Sequence, residues 1–293
     1  MHAFLEQLLG GLTAGAIYAS LALGLVLIYR FTGVANFAQG ELAMFSAFLA
    51  WQFGQSGMPL WLAMLTALAV SFAGGLLIER VVIRPVEGAP ELTLVIVTVG
   101  LYFFVNAAAG WIWSFQLHTF PSPFPAGAIG TGGVSASYQS LGVLAVVGLV
   151  MVALFALFRF TKIGLAMRAV AANPESARLN GIRVGVVLAL GWGLAALVGA
   201  VSGILAAPML FLEPNMMGGV LIYAFAAATL GGFDSPVGAV AGGLIVGVSE
   251  TLAGAYIDAI GTELKIAVPL LIIITVLLVR PQGLFGTPAV QRV

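Results

Sequence analysis

The stretch Leu8-Leu9-Gly10-Gly11-Leu12-Thr13-Ala14-Gly15-Ala16-Ile17-Tyr18-Ala19-Ser20-Leu21-Ala22-Leu23-Gly24-Leu25-Val26-Leu27-Ile28-Tyr29 decides the fold class. It contains no charged residue and is closed by Arg30. A bilayer's hydrocarbon core takes about 20 mainly apolar residues of helix, because backbone polar groups must find their partners inside the segment. The preceding Met1-His2-Ala3-Phe4-Leu5-Glu6 lacks the basic start of a cleavable signal, so the stretch is expected to remain as a membrane span.

Outward from it the pattern repeats. Further apolar stretches run over Glu41–Phe53, Leu60–Ile78, Leu92–Trp113, Leu141–Phe158, Val186–Ala207, Gly218–Leu230, Gly238–Tyr256 and Leu264–Val279. Across the 293 residues, 61% are hydrophobic and 8% charged, against roughly a quarter charged in a soluble domain. The expected fold is therefore all-α, a polytopic transmembrane helical bundle. A single membrane-embedded domain over 1–293 is expected, with a cytoplasmic loop at 159–184. Glu41–Phe53 and Gly218–Leu230 are short for a crossing and read equally as re-entrant segments packed inside protein.

The basic residues choose an orientation. Arg30, Arg80, Arg84, Arg159, Lys162, Arg168, Arg178, Arg183, Arg280 and Arg292 fall on one side if the stretches alternate, leaving Lys265 opposite. By the positive-inside rule that side is the cytoplasm. The N-terminus is then outside and the C-terminus cytoplasmic, in a cell inner (plasma) membrane. Parity allows nine crossings, or seven if both short segments are re-entrant. The uncharged segment Ser114–Ser140, with Phe120-Pro121-Ser122-Pro123-Phe124-Pro125 at its centre, reads as an ordered external loop or as a plain connector.

Several chemistries are excluded or unsupported. Formal charge is zero, with 11 basic and 11 acidic residues, so there is no polybasic face for nucleic acid. Cysteine is absent, which removes disulfides and thiolate sites, and only His2 and His118 supply imidazole, so no metal site is expected. The chain lacks HExxH and GxSxG motifs, which weighs against an intramembrane enzyme. It also lacks GxxxxGK[ST], so any dependence on ATP must come from a partner.

Glycine totals 38, with clusters at Gly231-Gly232, Gly238, Gly242-Gly243 and Gly247. Small residues at helical spacing let helix backbones approach closely in a membrane. Intramembrane acids are costly and therefore functional candidates. Glu41, beside Asn36 and Gln39, is placed to line the inner part of a translocation path, stabilised by a helix N-terminus. Glu250 has no cation near it in sequence, and Asp234 is expected to cap the helix that follows it. Structural and path-lining roles stay open for both glutamates.

The most charged segment runs from Arg159 to Arg183 and holds five of the eleven basic residues. Gly164–Ala172 reads as one short helix; Asn173 is placed to N-cap a second, opened by Pro174 and ended by Gly181. Glu175 suits the second helix's positive end and Arg178 its negative end. Ala177 and Leu179 form an apolar stripe that suits a groove on a soluble partner, or else the pair is an interfacial hairpin.

Four stretches together resemble the branched-chain amino-acid type ABC permeases. Gly164-Leu165-Ala166-Met167-Arg168-Ala169 through Asn173-Pro174-Glu175-Ser176-Ala177 to Gly181-Ile182 is similar to their cytoplasmic loop. Asn36-Phe37-Ala38-Gln39-Gly40-Glu41 is similar to the stretch after their first span. Leu230-Gly231-Gly232-Phe233-Asp234-Ser235-Pro236-Val237-Gly238-Ala239 resembles their late Gly-rich turn, with Phe233-Asp234 in place of small residues. Arg280-Pro281-Gln282-Gly283-Leu284-Phe285-Gly286 resembles their C-terminal ending. The resemblance implies a permease subunit that imports a branched-chain or other hydrophobic amino acid. Its implied partners are a second related permease, two ATP-binding subunits and an external substrate-binding protein. No cofactor is expected on this chain. Coupling to the ATPase would fall to Gly164, Arg168, Asn173, Pro174, Glu175, Ala177, Arg178 and Gly181. The competing readings are a permease for urea or short amides and an ion-coupled secondary carrier using Glu41 and Glu250.

Overall fold

The computed structural model describes residues 2–131, 134–258, 260–261 and 264–286. Arg292, assigned above to the cytoplasmic side, and Glu263 lie outside the described residues. The helices are α1 (His2–Thr32), α2 (Gln39–Gln55), α3 (Leu60–Ile78), α4 (Glu91–Trp113), α5 (Tyr138–Phe160), α6 (Lys162–Ala172), α7 (Pro174–Leu179), α8 (Val184–Leu210), α9 (Met216–Gly231), α10 (Pro236–Tyr256) and α11 (Ala267–Val279). All nine apolar stretches are helical. Six helices are long and apolar enough to cross a membrane: α1, α3 with its continuation to Val86, α4, α5, α8 and α10. α2, α9 and α11 have 17, 16 and 13 residues. The fold is an all-α multi-pass membrane bundle. Its departure from helix is a hairpin in the Pro- and Gly-rich segment, where β1 (Ala128–Thr131) pairs antiparallel with β2 (Val134–Ser137) in the register Ala128↔Ser137.

By backbone contacts the chain divides into two compact units. One comprises Leu27–Pro121 and Val146–Met217; the other comprises Met1–Val26, Ser122–Ala145 and Gly218–Val293, within the described residues.

In the first, larger unit α8 is the spine, buried along most of its length. Its glycines admit neighbouring backbones: a Cβ on Gly203 would collide with the Ala43 carbonyl, and one on Gly75 of α3 would stand 2.6 Å from the Trp192 carbonyl oxygen. Such contacts, rather than a hydrophobic drive, hold helices together in lipid. They also fix directions. Gln39 meets α8 at Ala195 and Ala43 meets it at Gly203, so α2 runs parallel to α8. Gly75 meets Trp192 and Arg84 meets Gly185, so α3 runs antiparallel. The far end of α2 is tied to the far end of α4, where Trp113 Nε1 donates to Gln52 Oε1 at 3.0 Å.

α2 is short because its span is shared with an extended stretch. Gln39 lies level with a point about 16 Å into α8, counting 1.5 Å per residue from Val184. Residues 33–38 cover that depth without helical bonding. Their backbone is satisfied locally: the Thr32 hydroxyl bonds the Val34 N–H and carbonyl, and Asn36 Oδ1 accepts from the Ala38 N–H at 3.0 Å. Non-helical backbone at membrane depth is tolerated where protein surrounds it in this way. The stretch from Gly33 to Gln55 is therefore one broken crossing, not a re-entrant loop returning to its own side.

At the basic end of this unit, α3 continues through a π-helical turn, Glu79–Ile83, and a 3₁₀ turn, Arg84–Val86. Arg84 grips the buried Glu79 carboxylate through both ends of its guanidinium, at 3.2 and 2.8 Å, and donates to the Gly185 carbonyl at 2.7 Å. Arg178 on α7 reaches Glu87 at 3.5 Å.

In the second unit, α10 packs antiparallel to the first part of α1. A Cβ on Gly243 would stand 2.5 Å from Ala19 Cα, and one on Gly11 would stand 2.8 Å from Val248 Cα. The helix cap after the Gly-rich turn falls one residue later than expected. Ser235 Oγ, not Asp234, accepts from the Gly238 N–H at 3.0 Å and caps α10. Gly232 has φ +102, a conformation that costs a side chain heavily. The Gly-rich turn and the C-terminal ending meet: Leu284 N–H donates to the Leu230 carbonyl at 2.7 Å and Phe285 N–H to the Gly231 carbonyl at 3.0 Å.

Candidate functional site

The structure distributes the expected site residues over three places. In the larger unit, Asn36 and Gln39 are fully buried and their polar atoms are engaged. Asn36 Nδ2 donates to Gln39 Oε1 at 3.2 Å, and Gln39 Nε2 donates to the Ala195 carbonyl at 2.8 Å. They fasten the start of α2 to the middle of α8 and position Glu41 two residues further on.

Glu41 is 1% exposed. Its Oε2 accepts from Asn106 Nδ2 of α4 at 3.1 Å, and the same amide donates to the Pro214 carbonyl at 3.0 Å. Asn215 Oδ1 lies 3.3 Å from that amide and its residue is exposed. Glu41 lies in the first turn of α2, the end of a helix that favours a carboxylate. Asn106 and Asn215 were not anticipated. The available signal was a lone amide in the otherwise apolar Glu91–Trp113 span, which in hydrocarbon needs a partner.

Glu250 belongs to the second unit. It accepts from the Tyr18 hydroxyl at 2.8 Å. The Tyr18 and Tyr223 rings are stacked, with centroids 4.6 Å apart. Both tyrosines escaped the sequence reading, because aromatic residues in apolar spans carry no distinguishing pattern. Among the described residues neither acid makes an ion pair.

The third place is the α6–α7 pair. Thr161 caps α6, accepting from the Gly164 N–H at 3.0 Å, and Gly164 allows α6 to fold against the end of α5, since a Cβ there would collide with Leu157. Asn173 caps α7 as expected, accepting from the Ser176 N–H at 2.9 Å, with Pro174 at the first position and Gly181 at φ +79 after its end. The predicted outward stripe is not formed. Ala177 is 3% exposed and packs with Met167, Val170, Val184 and Val187, whereas Leu179 is 90% exposed. A six-residue helix has fewer than two turns, and its inner face is taken by α6 and α8. Arg168 and Glu175 are exposed.

The family model for the branched-chain amino acid transport system permease component matches residues 7–277. The high-affinity branched-chain amino acid transport permease BraD of Pseudomonas aeruginosa is 32% identical, covering 100% of this chain and 99% of that protein. The corresponding permease LivH of Escherichia coli K12 is 32% identical over 99% of this chain and 98% of its own length. A fructose import permease, FruF of Bifidobacterium longum, is 26% identical over 89% of this chain. No solved structure matches. With the match running almost end to end, the chain belongs to the permease-component family of branched-chain amino acid transport systems.

Proposed function

We propose that this chain is the permease subunit of an ABC importer for branched-chain or other hydrophobic amino acids in the cell inner membrane. The full-length likeness to permeases of that name carries the reading. Residues 1–293 work as one permease domain, beside a second related permease. Two cytoplasmic ATP-binding subunits supply the phosphate loop missing here, and an external binding protein delivers the amino acid. The chain holds no cofactor of its own. Arg168, Glu175, Arg178 and Leu179, on helices held in shape by Gly164, Asn173, Pro174, Ala177 and Gly181, meet the ATPase. Glu41 with Asn106, and Glu250 with its tyrosines, are polar points along or beside the path, with Asn36 and Gln39 positioning the first. The N-terminus is outside and the C-terminus cytoplasmic.

Affinity purification of the tagged chain from gently solubilised membranes tests this. Two ATP-binding subunits and a second permease should co-purify, and the cognate binding protein should carry leucine, isoleucine or valine. A chain that purifies alone, or a binding protein loaded with urea or an amide, contradicts the respective part. Buried Glu41 and Glu250 without ion pairs favour one second reading, an ion-coupled carrier. Such a carrier has no use for ATP-binding partners.

A further inference from the structure

At the basic end of the larger unit, the turns after α3, the start of α4, Pro174 of α7 and the first part of α8 line a cavity of about 210 Å³. That is small against the roughly 300–1,000 Å³ of drug-sized sites, and too small for a helix about 10–12 Å across. Its apolar wall includes Leu94 of α4 and Leu188 and Trp192 of α8. Glu87 and Glu91, both exposed, stand at its mouth.

The polar groups of the lining are not all spent on one another. Arg84 commits Nε and Nη2 to Glu79 and the Gly185 carbonyl. Its side chain is still 36% exposed, with Nη1 unengaged among the described residues. Glu79 is matched by that contact and Glu87 by Arg178, whereas Glu91 has no ion pair among the described residues. Trp192 is 2% exposed and its Nε1–H has no acceptor among the described residues; a buried donor is costly to leave unmet. The lining therefore combines unmet donors, an unmatched carboxylate and an apolar wall in one small space.

We propose that this cavity binds a free hydrophobic α-amino acid, its carboxylate at Arg84, its ammonium at Glu91 and its side chain against Leu94, Leu188 and Trp192. An anion alone leaves Glu91 unmatched, and an amine alone leaves Arg84 unmatched. A small polar zwitterion answers both charges but not the apolar wall. Pro174 opens α7 and lines the same cavity, so the occupant touches the helix pair assigned above to the ATPase. Resting on the importer reading, the site lets the transported class act back on its own uptake.

Photo-leucine, the diazirine analogue of leucine, tests the site on the purified chain in detergent, without binding protein or ATPase. Peptide mass spectrometry should place the adduct within residues 84–94 or 184–192. Excess leucine should remove it and excess glycine should not. Glu91→Gln, at an exposed position, should lower labelling about tenfold through loss of a charged partner while the melting temperature stays unchanged. Ala89→Phe, which fills the cavity from the loop before α4, should remove the adduct. Adducts confined to other segments, or labelling indifferent to leucine and to both substitutions, would overturn the proposal. In the co-purified assembly, leucine supplied on the α6–α7 side should slow ATP hydrolysis severalfold, and Ala89→Phe should abolish that response. Hydrolysis indifferent to leucine, in an assembly that imports it, would overturn the feedback role and leave the importer reading intact. A chain that takes the adduct at this cavity but has no ATP-binding partners would defeat the importer reading and leave the binding site standing.

Discussion

Asn106 donates one amide to both Glu41 and the Pro214 carbonyl, so removing it leaves a buried carboxylate without its side-chain donor. Asn106→Leu should destabilise the chain by about 1–3 kcal/mol, read as a lower melting temperature in detergent. Ala177 and Leu179 supply a sharper contrast. Ala177→Glu forces an unpaired charge among Met167, Val170 and Val187 and should cost more than about 2 kcal/mol. Leu179→Glu, at a residue in open surroundings, should leave the melting temperature unchanged while abolishing capture of the ATP-binding subunits. Retention of those subunits by a well-folded Leu179→Glu chain would remove α7 from the coupling role. At this scale the sequence showed what is local. Asn173-Pro174-Glu175 announces a capped helix because cap, proline and acid act within one turn. The inward turn of Ala177 is set by packing against α6 and α8, and the partners of Glu41 and Glu250 lie 65 and 232 residues away, which no local pattern records.

The helices themselves were readable because lipid demands long uninterrupted apolar runs, and all nine runs are helices. Their ends were less so. α5 begins at Tyr138 and the hairpin β1–β2 precedes it, although the Gly- and Ser-rich composition there shows no strand alternation. The broken crossing of 33–38 and α2 was visible only as a stretch too short to span. What lengthens it is Asn36 and Thr32 bonding the extended backbone, a tertiary solution to a local deficit. Close packing of α2 on α8 depends on Gly203. Gly203→Ala should lower stability by about 1–3 kcal/mol, since the Cβ meets the rigid Ala43 carbonyl rather than a movable side chain. Gly74→Ala, one helix away in open space, should have no measurable effect on the same melting curve.

For the whole molecule, helix directions inside the larger unit agree with the charge alternation: α2 and α8 run one way and α3 the other. Orientation follows from the positive-inside rule and has a direct check. Ser122 and Ser176 are both exposed, so a cysteine at either position can report the side of the membrane it faces. In intact cells an impermeant thiol reagent should label Ser122→Cys and spare Ser176→Cys; labelling of Ser176→Cys alone would invert the topology. The claim that the chain is an ATP-driven importer's permease is tested most directly by leucine uptake into liposomes bearing the co-purified assembly. Uptake should require ATP on the α6–α7 side and the binding protein on the other, and should persist when a protonophore collapses the proton gradient. Leucine accumulation by this chain alone, driven by a proton or sodium gradient without ATP, would contradict it.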